Sequence, residues 1–552
     1  MKSKIFVLGL DGATFDLIIP WVKNEKLPTF KKIMDNGSYG SLISTIHPLT
    51  APAWSSFITG MNPGKHGLYD FVRRRIGSYK RDVVNASLRS GDSIWKILSE
   101  KGKKVCAINV PMTYPPEEVN GYLISGIDTP DMNSNYTYPE SFAQEIADQH
   151  LIAVDTSGKS HEKYLNSSLE AVERRFKVMN RSFMKEEFDF FMKVINETDS
   201  VQHCFWEFME KGNNPFSDAI FKIYNKIDIL LGEFLKILPQ DYTLIIMSDH
   251  GAGPIKKVFH LDTYLNKLGL LNYRKKESTS FLKSLFKNIM KKTLYLSQRY
   301  LPASIKARLK KMSNFRSDVE SFLEFSEIDW SSTKAYSIGN QGNICINLKG
   351  REPQGVINPG NEYDNLCQMI ISHLEELKDP ETMEKAVEKV YRREELYHGP
   401  NLELAPDLLI RWKDDLYLSK KEFTSSHNVL WSKYTKFGRY SSKYDMYQTG
   451  THKINGVVIF YGKNIKKGSN LQGAKIIDLA PSILYLLNEP IPESMDGKVL
   501  TSVIDNNFLK ANPIKYQDDS GEMKTKSKRV FFSKKDEEKV RERLKELGYM
   551  DE

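Results

Sequence analysis

Cysteine is scarce in this chain, with four residues among 552, at Cys106, Cys204, Cys345 and Cys367. None belongs to a Cys-x-x-Cys pair, which excludes a disulfide framework and a thiolate metal site and fits a reducing compartment. Long apolar runs are missing as well, and nothing approaches the roughly 20 consecutive residues of a membrane span. The opening "KIFVLGLDG" is shorter than a secretory core and ends on an aspartate rather than a processing site, so the expected location is cytoplasmic. Internal repeats and low-complexity tracts are also lacking.

The net charge is +9, but 12 Lys or Arg against one Glu fall between residues 274 and 311, which leaves the remainder close to neutral. A body with so little surplus charge has no extended phosphate-tracking surface, and no specific nucleic-acid binding is expected. Within the basic stretch, "SFLKSLFKNIMKK" sets Lys283, Lys287 and Lys291 opposite Phe281, Leu282, Leu285, Phe286 and Ile289. Such a basic amphipathic helix suits peripheral contact with a membrane or an acidic partner through residues 274–311, with a solvated cap as the plainer reading.

A chain this long exceeds one ordinary core. Apolar runs at "KIFVLGL", "KVCAINVP", "FDFFMKVINETD", "YTLIIMSDHGAG" and "INGVVIFYG" alternate with helical patterns such as "SLEAVERRFKVMNRSFMKE" and "DLAPSILYLL". That alternation predicts an α/β fold with a largely parallel central sheet and helices on both faces. The expected organisation is a discontinuous core over residues 1–260 and 330–500, a basic helical insertion or cap over 261–329, and a polar linker with a charged C-terminal helix over 501–552.

Ligands of such sheets sit beyond the carboxyl ends of the strands, and that is where the chemistry-bearing residues fall. Asp11 ends the first run. "TDSVQH" spaces Asp199 and His203 four apart, on one face of a helix. "MSDHGAG" sets Asp249 beside His250, with Gly251 and Gly253 to permit a sharp turn. "GTHKINGVVIF" adds His452 before another strand. Each element alone is commonplace; together they supply nitrogen and carboxylate donors for two divalent ions, with Zn²⁺ the first choice and Mn²⁺ the alternative. Thr50, in "PLTAPAWSSFITGMNPGKHG", has two readings. It caps a helix whose first turn holds Pro52 and whose end is Gly60, or it carries a nucleophile.

This ordered set resembles the alkaline phosphatase superfamily, and within it the type I phosphodiesterase and nucleotide pyrophosphatase branch, over residues 1–260 and 330–500. The resemblance rests on "LGLDG", on "TAPAWSSFITGMNPGKHG", on the Asp-x-x-x-His, Asp-His-Gly and late Gly-x-His elements in that order, and on the closing "DLAPSILYLLNEPIPESMDGKVL". It implies an alkaline-phosphatase-like core in which Thr50 is the nucleophile. One metal ion would be held by Asp11, Asp249, His250 and the Thr50 oxygen, the other by Asp199, His203 and His452. The substrate would be a small-molecule phosphoester, a diester or nucleotide pyrophosphate before a monoester.

The asparagine that many nucleotide pyrophosphatases carry after the motif proline is replaced here by Ala53 and Trp54. Trp54 either lines a pocket or packs the core. Lys65 is the second candidate substrate contact, and the run Arg73 to Arg75 and Arg351 are weaker sources of positive charge. Alternative functions are a phosphomutase or phosphotransferase of the same superfamily, and a non-catalytic phospho-ligand or membrane-binding protein. A sulfatase is disfavoured, because "TAPAW" lacks both ends of the Cys/Ser-x-Pro-x-Arg frame.

Overall fold

The computed structural model describes residues 3–155, 159–274, 327–420, 429–433, 435–437, 446–519 and 529–550. The basic stretch beyond Arg274, and with it the expected membrane or acidic-partner contact, lies outside them.

Lys4–Leu10 is the axis of the molecule. It pairs in parallel with Phe190–Ile195 on one side and Tyr242–Met247 on the other. Side chains alternate across this strand, so Phe6, Leu8 and Leu10 enter one core while Ile5 and Val7 enter another. A run buried on both faces has no reason to alternate in polarity, and "KIFVLGL" does not. Outward from this axis, Val105–Val110 and Gly121–Ser125 extend the parallel pairing beyond Phe190–Ile195, and the short Thr137–Tyr138 closes that edge antiparallel. On the other side Asn455–Gly462 pairs antiparallel with Tyr242–Met247, followed by Ser38–Ile43 and Asn470–Lys475, for nine strands in all.

Helices cover both faces of this α/β sheet. The first core takes His161–Phe183, capped by Ser160 accepting from the Lys163 amide, together with Ala219–Phe234. The second takes Thr50–Thr59, Ile94–Glu100 and Leu479–Leu486.

Residues 335–412 do not join the large sheet. Ala335–Ile338, Asn343–Ile346, Leu408–Trp412 and Val387–Arg392 form a separate antiparallel sheet, backed by the helix Asn361–Glu375 and enclosing its own core with Phe259, Leu261 and Leu265. The C-terminal helix runs Lys534–Glu546, begun by Ser533 accepting from the Asp536 amide. No helix among the described residues is long and apolar enough to cross a membrane.

Candidate active site

Asp11 leaves the first strand with its amide on the Ile195 carbonyl, 3.0 Å away. Gly12 turns the chain at φ +65°, and a β-carbon there would meet Asp199 Oδ1 at 2.7 Å, so only glycine fits the turn. The helix Glu197–Lys211 presents Asp199 and His203 one turn apart, Oδ2 to Nε2 at 3.2 Å. Asp249 and His250 follow the end of Tyr242–Met247. His452 arrives from two hundred residues away on a two-stranded ribbon in which Gly251–Pro254 pairs with Gly450–Lys453, placing His452 opposite Ala252.

Gly251 and Gly253, expected to permit a sharp turn, do so without left-handed backbone. Neither Gly251 nor Gly253 has positive φ. A side chain at Gly251 would strike the Asn455 carbonyl at 2.2 Å, and one at Gly450 the Gln202 carbonyl at 2.4 Å. Close backbone approach, rather than a turn, demands these glycines.

Thr50 also departs from its structural reading. The helix Thr50–Thr59 is capped by Leu49, extended at φ −110° and ψ 142°, with no side-chain cap. The Thr50 hydroxyl is therefore not engaged in capping. It lies 3.4 Å from His250 Nε2 and is fully buried.

Around it the donors fall into a repeated pattern. Asp11 Oδ2 accepts from Asn196 Nδ2 at 2.9 Å, Asp249 Oδ1 from the Gly12 amide at 3.2 Å, and Asp199 Oδ2 from the Tyr549 hydroxyl at 2.7 Å. The other oxygen of each carboxylate, Asp11 Oδ1, Asp199 Oδ1 and Asp249 Oδ2, is buried with no hydrogen bond. The imidazoles repeat this. Nδ1 of His203, His250 and His452 faces the carbonyls of Gly450, Gly251 and Pro48 at 2.8, 3.0 and 2.8 Å. A carbonyl only accepts, so Nδ1 carries the proton and Nε2 offers a lone pair.

Those lone pairs converge, His203 Nε2 lying 3.0 Å from His452 Nε2 and the His250 and His452 rings stacking at 3.7 Å. Bare oxygens and lone pairs pointed at each other in a dry site repel unless cations lie between them. Two groups, Asp11/Asp249/His250 and Asp199/His250/His452, bring their ligand atoms within 4.8 Å of one another. The donor set, nitrogen and carboxylate without sulfur, fits divalent ions.

A sequence profile described as type I phosphodiesterase / nucleotide pyrophosphatase matches residues 5–442. The chain belongs to this family. Its members are phosphoester hydrolases, and so is this enzyme; the two groups of side chains above could each hold a metal ion. By sequence alone, no curated protein matches the chain. In three dimensions the phosphodiesterase chain is similar to phosphonoacetate hydrolase from Sinorhizobium meliloti 1021, with a TM-score of 0.52 and 11% identity over 88% of this chain and 95% of that one. It is also similar to murine ectonucleotide pyrophosphatase / phosphodiesterase 5, with a TM-score of 0.44 and 15% identity over 88% and 95%. The first likeness shows the shared fold.

Electrostatics divide this phosphodiesterase site. Burial pushes the Asp11 carboxyl well above its usual range, and the Asp249 and Asp199 charges add to the shift. Burial raises Asp249 too, with His250 opposing and Asp199 assisting. Burial acts in the same direction on Asp199, but in the metal-free protein a proton on His203 Nε2 in place of the lone pair, donated to Asp199, together with charge on His203 and His452, outweighs it and holds this carboxyl low. Three carboxylates gathered in low dielectric must take up protons or a metal cation.

The two candidate substrate contacts are placed elsewhere. Trp54 is fully buried in the second core, its ring filling the space left by Gly9, where a β-carbon would meet Trp54 Cη2 at 2.7 Å. That corrects the pocket-wall reading. Lys65 is tied to Asp496 Oδ1 at 2.6 Å and the Ser494 carbonyl at 2.8 Å, which neutralises it away from the nucleophile. Arg74 lies on Glu352 at 3.1 Å, Arg75 pairs with Asp82, and Arg351 grips Asp407 at 2.7 Å. Sequence reasoning missed Asn196 and Tyr549. Asn196 stands three residues before Asp199 at a strand end, a readable signal; Tyr549 offers none.

Proposed function

We propose that this enzyme hydrolyses phosphodiesters or nucleotide pyrophosphates through a covalent intermediate at Thr50, a phosphodiester of threonine that keeps the substrate's second ester group, with two divalent ions held by the six side chains above. The observation that carries this reading is the half-held state of each aspartate beside a nucleophile that caps nothing. Asp11, Asp249 and His250 with Thr50 form one ligand group; Asp199 and His452, which also converge with His250, form the other with His203, whose Nε2 lies 3.2 Å from Asp199 and 3.0 Å from His452. Bound there, divalent ions lower the pKa of a coordinated hydroxyl and neutralise charge on the attacking and leaving oxygens.

The chain's own residues do the rest. Thr50 Oγ attacks phosphorus, the bond to the leaving oxygen breaks, and water later cleaves the threonine ester. The first turn of Thr50–Thr59 turns backbone N–H groups and the positive helix end toward the anionic phosphoryl group. Pro52 lacks an N–H and fixes that turn without an unpaired donor.

The deciding experiment compares wild type with Thr50→Ala on phosphomonoesters, phosphodiesters and dinucleotides after zinc or manganese loading. Diester turnover is expected to fall by at least about a thousandfold, and acid-quenched wild type to carry the substrate's phosphoryl group on Thr50. Retained turnover in Thr50→Ala overturns the covalent route, a monoester preference overturns the substrate class, and transfer to added glycerol in place of release of the phosphomonoester points to the phosphotransferase alternative.

A further inference from the structure

Five of the six hydrogen-bond partners that orient the ligand groups come from the sheet, its loops or the adjoining helix: Asn196 and the Gly12 amide, which donate, and the carbonyls of Gly450, Gly251 and Pro48, which accept. The sixth is Tyr549, near the end of the chain and 350 residues from the aspartate it touches. We propose that Tyr549 is a positioning residue of the second cation site: its hydroxyl holds Asp199 Oδ2 so that Oδ1 faces the ion, and residues 529–550 are thereby part of the active site. The assignment rests on the two-ion reading above.

The tail is built to hold that hydroxyl still. Val540 and Leu544 of the C-terminal helix, with Leu547 and Tyr549 after it, share one buried cluster with Ala51, Phe71 and Leu88. Ala51 follows the nucleophile directly, so the tail packs against the same helix start that carries Thr50. Arg543 donates to the carbonyls of Ile127 and Pro130, each at 2.9 Å, and to that of Thr129, while Lys539 pairs with Asp131. The strand of tail ahead of the helix is tied at Val530, whose carbonyl accepts from Asn85 Nδ2 and whose amide donates to Ser87 Oγ, both at 2.9 Å.

Past the helix, Gly548 turns the chain at φ +81° and the Tyr549 amide returns to the Leu544 carbonyl at 2.9 Å. The ring then stacks on Phe71, centroids 5.0 Å apart and planes 20° apart, and is buried to 3% exposure. Its edge approaches His203 and His452 at 6.1 and 5.9 Å between centroids. A phenol stacked on one face, flanked by two imidazoles and tied at its backbone has one place for its oxygen, which is what an orienting donor requires.

The test uses the full-length protein and zinc alone, titrated in competition with a chromophoric chelator, so that binding is read without turnover. Wild type is expected to bind two ions in two steps. Tyr549→Phe, which keeps the stacked ring and removes only the donor, is expected to weaken one step by about 10- to 100-fold and leave the other unchanged. Asp199→Asn removes the same step, and in that background Tyr549→Phe is expected to have no further effect. The melting temperature of the metal-free Phe variant checks that the ring still packs.

Two bound ions with both affinities unchanged, equal weakening of both steps, tighter binding in Tyr549→Phe, or a full effect of Tyr549→Phe in the Asp199→Asn background each overturn the positioning role while sparing the two-ion reading. Failure of wild type to bind two ions overturns both.

Discussion

Asp407 in the small sheet and Asp249 at the end of the central one are both fully buried carboxylates, and they are handled in opposite ways. Asp407 Oδ1 accepts from Arg351 and the Tyr363 hydroxyl at 2.7 and 3.0 Å, and Oδ2 from Arg351 and the Ile346 amide, both at 2.7 Å. Burial works against its charge, but the Arg351 hydrogen bonds and charge outweigh that and hold the carboxyl below its usual range. Asp249 has one oxygen on a backbone amide and the other bare, and burial raises it. Saturation marks a carboxylate whose work is inside the fold; a bare oxygen beside two more of its kind marks one waiting for a cation. Burial alone does not separate the two, nor does a single bare oxygen, since Glu352 Oε2 is also buried without a hydrogen bond beside Arg74 and Arg351; the convergence of three bare oxygens with imidazole nitrogens does.

The largest expected effect sharpens this contrast. Asp249→Asn should lower phosphodiesterase turnover by at least about a thousandfold, roughly 4 kcal/mol of lost transition-state stabilisation, and bring zinc uptake down to one ion. Its metal-free form should melt no lower than wild type, since one of three crowded carboxylates is gone. Asp407→Asn should do the reverse. It strips the Arg351 guanidinium of its two-point partner and leaves only Glu352 Oε1, at 3.0 Å from Nε, as counter-charge, at a cost of up to about 3 kcal/mol in denaturant unfolding, with turnover per folded molecule retained. Lost turnover in a fully folded Asp407→Asn protein breaks the comparison. Chelation comes next in size. Ions that bind only the folded state at a hundred times their dissociation constant contribute about 2.7 kcal/mol each, so a chelator should lower the melting temperature of wild type and leave Asp249→Asn less affected.

Much of the central fold was legible in the chain, for reasons visible in individual stretches. "YTLIIM" and "FFMKVI" are apolar without alternation because both faces of their strands are covered. Asp199 and His203 share a face because four residues make about one helical turn. Asn343–Ile346 and Leu408–Trp412 read as strands too, but their pairing into a separate antiparallel sheet depends on partners more than sixty residues apart, which local pattern does not encode. Thr50 looks like a helix cap until the extended backbone of Leu49 takes that position. Trp54 looks like a pocket wall until Gly9, a strand away, provides the hollow it fills. Tyr549 was beyond reach, because "ELGYMDE" holds no spacing that ties it to Asp199; the tie exists only once Val540 and Leu544 have docked.

The smallest expected effect carries the same contrast to histidine. His66, a buried histidine outside the ligand set, has both its nitrogens engaged, Nε2 with Ser56 Oγ at 3.0 Å and Nδ1 with the Leu68 amide at 3.2 Å. Burial, helped by the Arg89 charge, brings its pKa down from 6.5 to about 3. Between those values the unfolded chain holds a proton that the folded chain does not, so folding is favoured less as the pH falls through this window. At pH 5 the loss from this one group is about 2 kcal/mol. His66→Gln can still pair with Ser56 and cannot titrate, so its melting temperature should fall less steeply than that of wild type between pH 6.5 and 5. Saturating zinc should leave the difference between the two slopes unchanged, because His66 faces the core and no cation. A slope difference that disappears when zinc is added would return His66 to the metal site and dissolve the distinction between saturated and bare donors.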